Sequence, residues 1–337
     1  MLQRLDVKDV SDALKQGSSL YIGAISFEAR TTGWINHLLL AGLKPTRSVV
    51  FDYDTQAEPL EDDRELRLQS ESVFRSHLGT ADLQFIKNVN AFAVNSLEVQ
   101  TRNALLAGTE SVCIIDFTCM TRVHLFAAIR AAISARDLGR KVFFCYAAAQ
   151  GYGFSKADFH GWRDVLFVSV TTGGLADSNA RAYGIISAGH DGERLGVALQ
   201  ESEPPSGIMI YAKNSQRPDF TSRALAANSV VHTRLESLRS PRQNHGPMID
   251  DRWTFAQIEV DDLADLSAAV LRQIGFARSA QGAIAVFPFG PKPMTLCIAD
   301  AIQSGSDVPA WMVYPVPNRF SVNYSAGTGS LSAYIFS

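Results

Sequence analysis

The chain has 337 residues, of which 46% are hydrophobic and 19% are charged. This composition supplies a buried core and excludes an intrinsically disordered protein. The 31 Lys and Arg residues against 34 Asp and Glu residues leave a net charge of −3. No global basic field therefore attracts nucleic acid or anionic membrane, and nonspecific nucleic-acid binding is not expected.

Membrane and metal-binding classes are also disfavoured. No apolar stretch reaches the ~18 to 20 residues that a bilayer span needs, and residues 1–17 lack the apolar run of a signal peptide. The four cysteines form no C-x-x-C pair and have no histidine at ligand spacing, so neither zinc nor a disulfide framework is indicated. We expect a cytoplasmic protein without a metal, a cofactor or a membrane partner.

The first part of the chain alternates between predicted strands and helices. Apolar strands are predicted at 19–26, 48–54, 83–87, 111–117 and 141–147. Each of the first four is followed by a segment whose apolar residues recur at helical spacing. Such units are typical of a parallel sheet covered on both faces by helices. The pattern predicts a Rossmann-like lobe.

A second lobe is predicted after a pair of prolines. Two strands within 150–205 are expected to add a hairpin to the first lobe, which then spans 1–203. Residues 204–337 are expected to form another Rossmann-like lobe that ends in an antiparallel hairpin. The predicted fold class is α/β, with two Rossmann-like lobes whose sheets are mainly parallel and each carry appended antiparallel strands.

Three finer features complete the predicted organisation. Residues 234–253 are polar and aperiodic, and are expected to be a surface loop. Asp261 or Asp262 is expected to cap the helix that follows. Segments 112–146 and 283–314 share a layout of strand, polar turn, Met-Thr, helix and strand. Either duplication or chance would explain this shared layout.

The turn at 290–293 follows a predicted strand and precedes a helix, which is where ligands bind in open α/β sheets. Gly290 permits close backbone approach, the helix start offers unpaired N–H groups, and Lys292 adds a cation. Together they suit a phosphate or another anion. A proline-stiffened turn with a solvated lysine accounts for the same residues.

The strand, the residues Gly-Pro-Lys-Pro-Met at 290–294 and the following helix resemble the strand–G-T-K-x-M–helix motif of the CRISPR-associated Rossmann-fold (CARF) sensors. Pro291 stands where the motif usually has Thr. The two-lobed layout is similar to SAVED domains, which fuse two such folds. The resemblance implies that Gly290, Lys292 and Met294 contact a cyclic oligonucleotide or a related nucleotide messenger. Because no effector segment is recognised, it also implies a separate protein effector or a homo-oligomer as partner.

Two residues at the carboxyl end of the fourth predicted strand are candidates for catalysis. Asp116 and Thr118 place a carboxylate and a hydroxyl at the carboxyl edge of the first sheet, where a ribose or an attacking water can be engaged. The alternative is that one of them caps the following helix. His124, early on that helix, is interpreted as structural rather than as a partner of Asp116.

The first crossover carries Ser26, Glu28 and Arg30 at the same predicted edge. It matches neither the dinucleotide fingerprint nor a P-loop. Ser26 and Arg30 are candidate nucleotide contacts, since a guanidinium binds phosphate by paired hydrogen bonds. A surface pair between Glu28 and Arg30, with Thr31 as a cap, is the alternative.

The loop at 315–320 adds Asn318 and Arg319 as ligand candidates, with ordinary loop packing as the alternative. Our leading hypothesis is a cytoplasmic nucleotide-binding sensor, which fits antiviral defence or other signalling. The second is a nucleotide hydrolase, phosphodiesterase or transferase that uses Asp116 and Lys292. The third is a non-catalytic protein-binding subunit. Rossmann-like lobes host all three functions.

Overall fold

A computed structural model describes residues 2–54, 61–79, 82–152, 161–171, 181–215, 217–238, 253–305, 307–318 and 325–336. The chain divides into two compact units. The first unit comprises residues 1–161 and 317–337, and the second comprises residues 162–316.

The first unit contains a seven-stranded sheet and its covering helices. Its strands are β1 (Leu2–Leu5), β2 (Ser19–Ala24), β3 (Arg47–Asp54), β4 (Leu83–Asn90), β5 (Val112–Asp116), β6 (Lys141–Tyr152) and β13 (Ser325–Phe336). Its α-helices are α1 (Val7–Leu14), α2 (Gly33–Leu40), α3 (Glu61–Leu78), α4 (Val94–Leu106) and α5 (Arg122–Arg136). A short 3₁₀ helix spans Ala29–Thr32.

The strand order of the first sheet is β1-β13-β6-β5-β2-β3-β4. The strands from β6 to β4 pair in parallel, whereas β13 is antiparallel to both β6 and β1. Counted along the chain, the parallel strands lie in the order third, second, first, fourth, fifth, which is the Rossmann order. All six residues of β2 are buried, as a central strand covered on both faces requires.

The second unit repeats this arrangement in a six-stranded sheet. Its strands are β7 (Trp162–Ser169), β8 (Ala182–Ala188), β9 (Ser206–Lys213), β10 (Trp253–Glu259), β11 (Ala283–Pro288) and β12 (Ala310–Pro317). Its helices are α6 (Gly192–Ser202), α7 (Asp219–Ala227), α8 (Ser229–Ser237), α9 (Leu263–Ser279) and α10 (Lys292–Ser304). The order is β10-β9-β8-β11-β12-β7, and β10 to β12 are parallel. The predicted α/β fold with two Rossmann-like sheets is confirmed.

The expected first-lobe hairpin is absent from the described residues, because β8 belongs to the second unit. There it lies between β9 and β11, parallel to both, as the central strand. The boundary expected near Glu203 therefore falls inside the second unit. Glu203 marks the end of helix α6, where it adopts a left-handed conformation with φ of 38°. The proline pair that follows ends a helix rather than a domain.

The expected C-terminal hairpin is replaced by one long strand, β13, which joins the first sheet. Its pairing with β6 shifts register between Thr328 and Leu331, and Gly327 has φ of 62°. The glycines that suggested a turn therefore lie beside a β-bulge, which uses the same residue types. Residues 319–324 of the expected hairpin lie outside the described residues.

Other local predictions have mixed outcomes. The side chain of Asp262 accepts the N–H of Asp265 and so caps α9, as one of the two expected candidates. Part of the expected loop at 234–253 is helical, since α8 extends to Ser237, while residues 239–252 lie outside the described part. The segments 112–146 and 283–314 occupy equivalent fourth and fifth places in the two strand orders. None of the described helices combines the length and apolar character that a bilayer span requires.

Candidate functional site at the carboxyl edges of the sheets

Each sheet has one point where the strand order reverses. In the first sheet it lies between β2 and β5, and in the second between β8 and β11. At such a point the connections leave in opposite directions from the carboxyl ends of two adjacent strands, which opens a crevice for ligands. The predicted loops at 25–32, 117–121 and 289–291 follow three of these four strand ends.

The two strand ends of the second switch point touch through their backbones. A Cβ on Gly189, just after β8, would lie 2.0 Å from the carbonyl oxygen of Phe289, just after β11. The N–H of Gly290 donates to Ser187 Oγ at 3.3 Å. Only residues without side chains permit this approach.

A methyl group added at Gly189 is therefore expected to destabilise the second unit. Gly189→Ala forces the Phe289 carbonyl to move and should cost about 1–3 kcal/mol of unfolding free energy. The matched control is Gly275→Ala in the middle of α9, where a Cβ meets nothing within 4 Å. That change should stabilise by about 0.4–1 kcal/mol. Urea unfolding measures both, and equal effects would contradict the close approach.

Two of the predicted ligand residues differ in their access to solvent. Lys292 is half-buried and begins α10, whose first turn has no side-chain cap. Met294 is fully buried, and its sulfur lies 3.4 Å from where a Cβ of Gly290 would be. Lys292 is thus partly accessible to solvent, and its contact with a ligand stays a prediction, whereas Met294 packs behind the Gly290 turn.

Sequence reasoning missed Arg194, which lies in the first turn of α6 directly after β8. Its side chain is buried, and its Nε and Nη2 donate to the carbonyl of Pro315 near the end of β12. The available signal was a basic residue after a glycine-rich strand end, the same signal that singled out Lys292. It was overlooked because α6 was not predicted.

In the first unit, Asp116 is buried and fully engaged at the end of β5. Its Oδ2 accepts the hydroxyl of Tyr21 at 2.8 Å, and its Oδ1 accepts the N–H of Thr118 at 3.0 Å. Burial, followed by the Asp116 charge, raises the pKa of Tyr21 well above its usual range. Tyr21 therefore stays protonated and donates to the carboxylate. The N-cap of α5 is Thr121, so neither Asp116 nor Thr118 caps that helix.

Thr118 joins this edge to the next strand, because its Oγ1 accepts the N–H of Ala147 at 2.9 Å. It is 1% exposed, and Asp116 is 2% exposed. The two candidate catalytic residues are thus brought together, but both are embedded in hydrogen bonds that hold β2, β5 and β6 in register. Their catalytic role stays a prediction.

The Glu28–Arg30 pair lies inside the protein rather than on its surface. Arg30 is 3% exposed, and its Nε and Nη2 lie 2.8 and 2.7 Å from Glu28 Oε2. Its Nη1 donates to the hydroxyl of Tyr146 at 2.8 Å and to the carbonyl of Ala147 at 3.2 Å. Ser325 Oγ donates to the same Glu28 oxygen at 2.5 Å. Arg30 therefore already has a carboxylate partner within its own unit.

The remaining candidates are more peripheral. Ser26 Oγ accepts the N–H of Glu28 at 3.3 Å, in the same loop as the buried pair. Asn318 is exposed and belongs to the first unit, where its N–H donates to the carbonyl of Gly161. Arg319 lies outside the described residues. Within the described part of the chain, no group of three or more acidic, histidine or cysteine side chains is placed to hold a metal ion.

Comparison with solved structures agrees with this topology. A "Type III CRISPR defence DNA nuclease activated by cyclic oligoadenylate" superposes with a TM-score of 0.51, at 8% identity, over 89% of this chain and 67% of that chain. The fold resembles that of a Type III CRISPR defence nuclease. At such low identity this similarity concerns the fold alone.

A second solved structure is a putative universal stress protein from Pseudomonas aeruginosa UCBPP-PA14. It matches at 7% identity over 90% of this chain and 95% of that chain, with a TM-score of 0.25. No protein-family profile and no curated protein sequence matches the chain.

Proposed function

We propose that the chain is a sensor of antiviral defence that binds a nucleotide messenger of the cyclic-oligoadenylate class at the carboxyl edge of its second sheet. The observation that carries the proposal is the glycine-lined switch point between β8 and β11, with Lys292 at its rim. It lies where Rossmann-like sheets take nucleotides. The neighbour with the similar fold is itself activated by cyclic oligoadenylate.

The chemistry of this edge suits a phosphodiester. Gly189 and Gly290 let the ends of β8 and β11 pack backbone to backbone, and the uncapped first turn of α10 beside them carries the positive end of its helix dipole. Lys292 adds a cation at the start of that helix. These groups would recognise phosphate oxygens. They do not distinguish one nucleotide base from another.

The first unit is proposed to contribute differently. Its edge carries two carboxylates, Asp116 and Glu28, and one guanidinium, Arg30, which already pairs with Glu28. That balance repels rather than attracts a polyanion. We therefore assign phosphate recognition to the second unit, with output through a separate protein effector or a homo-oligomer.

The test is a binding titration with cyclic oligoadenylates of several ring sizes, linear oligoadenylate, NAD and inorganic phosphate, followed by calorimetry and thermal unfolding. A ligand at 100 times its Kd should stabilise the protein by about 2.7 kcal/mol. Lys292→Ala should weaken the binding of a cyclic ligand about 10- to 100-fold, because a charge-assisted hydrogen bond is lost. Silence of the wild-type protein across the panel would reject the proposal.

The matched control is Lys87→Ala, which removes an exposed lysine of β4 whose Nζ lies 3.4 Å from Glu71. It should leave affinity unchanged, since Lys87 belongs to the first unit, to which the proposal assigns no phosphate recognition. Each bound nucleotide is also checked for turnover by chromatography. Turnover would support the nucleotide hydrolase considered above instead of the sensor.

A further inference from the structure

The second unit holds a buried arginine that has no acidic partner among the described residues. Arg194 has only 9% of its surface exposed, and its Nε and Nη2 donate to one acceptor, the Pro315 carbonyl, at 3.1 and 2.8 Å. Asp191 accepts the backbone N–H of Arg194 rather than its guanidinium. Burying a cation without a counter-ion costs free energy, so such a cation favours an anion from outside.

Aromatic rings hold this guanidinium in place. Its central carbon lies 4.2 Å from the ring centroid of Tyr314, 5.6 Å from that of Phe289 and 5.7 Å from that of Trp162. Contact with ring faces offsets part of the lost hydration. It also fixes the plane of the fork, so that little side-chain entropy remains to be lost when a ligand binds.

The position of Arg194 matches the edge that the proposed function uses. The residue starts from the turn after β8, passes Phe289 at the end of β11, and reaches Pro315 near the end of β12. These strands are adjacent in the sheet. With Nε and Nη2 committed to Pro315, Nη1 is the nitrogen without a hydrogen-bond partner in the described part of the protein.

We propose that Arg194 is the phosphate-recognising residue of the second unit and that its guanidinium binds a phosphoryl oxygen through Nη1. The nucleotide part of this assignment rests on the proposed function, whereas the preference for a phosphoryl anion rests on Arg194 alone. Arg194 and Lys292 then divide the task. The buried residue fixes one phosphate in position, and the half-buried lysine neutralises charge at the rim.

A purely structural role for Arg194 predicts the opposite stability effect. If the residue serves to satisfy Pro315 and fill the aromatic cage, Arg194→Met lowers the Tm of the ligand-free protein. If Arg194 instead serves to bind an anion, Met fills the same space without a buried charge, and the Tm of the ligand-free protein stays equal or rises. Binding should then fall about 10- to 100-fold, as expected for one charge-assisted hydrogen bond.

The experiment compares wild type, Arg194→Met and Arg194→Lys by thermal unfolding and calorimetry, using inorganic pyrophosphate and cyclic tetra-adenylate as probes. The control is Arg278→Met, which removes an exposed arginine paired with Asp307 in the same unit. We expect stabilisation by pyrophosphate in wild type and Arg278→Met, a partial effect in Arg194→Lys, and none in Arg194→Met.

The outcomes separate the two proposals. Pyrophosphate stabilisation that depends on Arg194, without nucleotide binding, supports this assignment and rejects the nucleotide sensor. Nucleotide binding of equal strength in wild type and Arg194→Met overturns the role of Arg194 and leaves the sensor intact. A lower ligand-free Tm in Arg194→Met with unchanged pyrophosphate affinity shows that the residue is structural.

Discussion

Replacing Arg30 by methionine is expected to lower the free energy of unfolding of the first unit by about 3–5 kcal/mol. The change leaves the carboxylate of Glu28, whose side chain is 12% exposed, without its cation. It also removes the donor to Tyr146 and to the Ala147 carbonyl, which ties the loop after β2 to β6. Urea unfolding, with hydrogen exchange in β2, β5 and β6 to isolate the first unit, measures the loss.

Two further variants make this result specific. Arg136→Met removes an arginine whose side chain is 42% exposed and which pairs with exposed Asp137, so it should cost at most about 1 kcal/mol. The double change Glu28→Met with Arg30→Met removes both charges together and should recover most of the loss, because no buried charge is left. A cost for Arg30→Met no larger than for Arg136→Met would show that water, not Arg30, neutralises Glu28.

The same substitution is thus expected to act in opposite directions in the two units. Arg30 has an internal carboxylate, so its loss strands a charge. Arg194 is held by one carbonyl and by ring faces, so its loss leaves no buried charge without a partner. This contrast is why we assign the ligand phosphate to the second unit, although both arginines lie at carboxyl edges of Rossmann-like sheets.

The sequence was sufficient to predict where the polar loops lie along the chain. Continuous apolar strands followed by helical periodicity identified the parallel sheets, and their strand ends placed Asp116 and Gly290 at sheet edges. It was also sufficient to limit the cap of α9 to Asp261 or Asp262, since both precede an apolar helical pattern, and Asp262 is the residue that caps the helix. These features depend on local residue order, which a single sequence contains.

Contacts between distant residues were beyond this reasoning. Whether β8 pairs within the first or the second sheet depends on which strands compete for its edges, and helix α6 after it was hidden between Gly192 and the prolines. The burial of the Glu28–Arg30 pair depends on Tyr146 and Ser325, which are far away along the chain. No local pattern distinguishes that pair from one on the surface.

His124 illustrates a structural prediction whose detail only the fold reveals. It is fully buried, and its Nε2 lies 2.8 Å from Thr101 Oγ1, while its Nδ1 contacts the hydroxyl of Tyr53. Because the Thr101 hydroxyl donates to the Leu97 carbonyl, its oxygen must accept from Nε2–H. Nδ1 then accepts from Tyr53. The network therefore requires the neutral ring, and β3, α4 and α5 all depend on it.

This network is expected to make the first unit acid-sensitive. Burial lowers the pKa of His124 to about 3, well below the ordinary value of 6.5 that applies in the unfolded chain. As the pH falls below 6.5, His124 binds a proton in the unfolded chain but stays neutral in the folded chain. Stability should therefore decrease by about 1.4 kcal/mol per pH unit, or about 2 kcal/mol between pH 6.5 and 5.

His124→Gln should remove this pH dependence, because the amide offers one donor and one acceptor like the neutral ring but takes up no proton. Urea unfolding of wild type and variant is compared between pH 7 and 5, with His77→Gln in α3 as the control. Burial also lowers the pKa of His190, which belongs to the second unit. Hydrogen exchange in the strands of the first unit therefore separates the effect of His124 from that of His190. The carboxyl groups whose pKa is lowered, such as Glu110 beside Arg47, act only at lower pH. Equal slopes in wild type and His124→Gln would mean that the ring is protonated in the folded protein, and that Tyr53 does not donate to it.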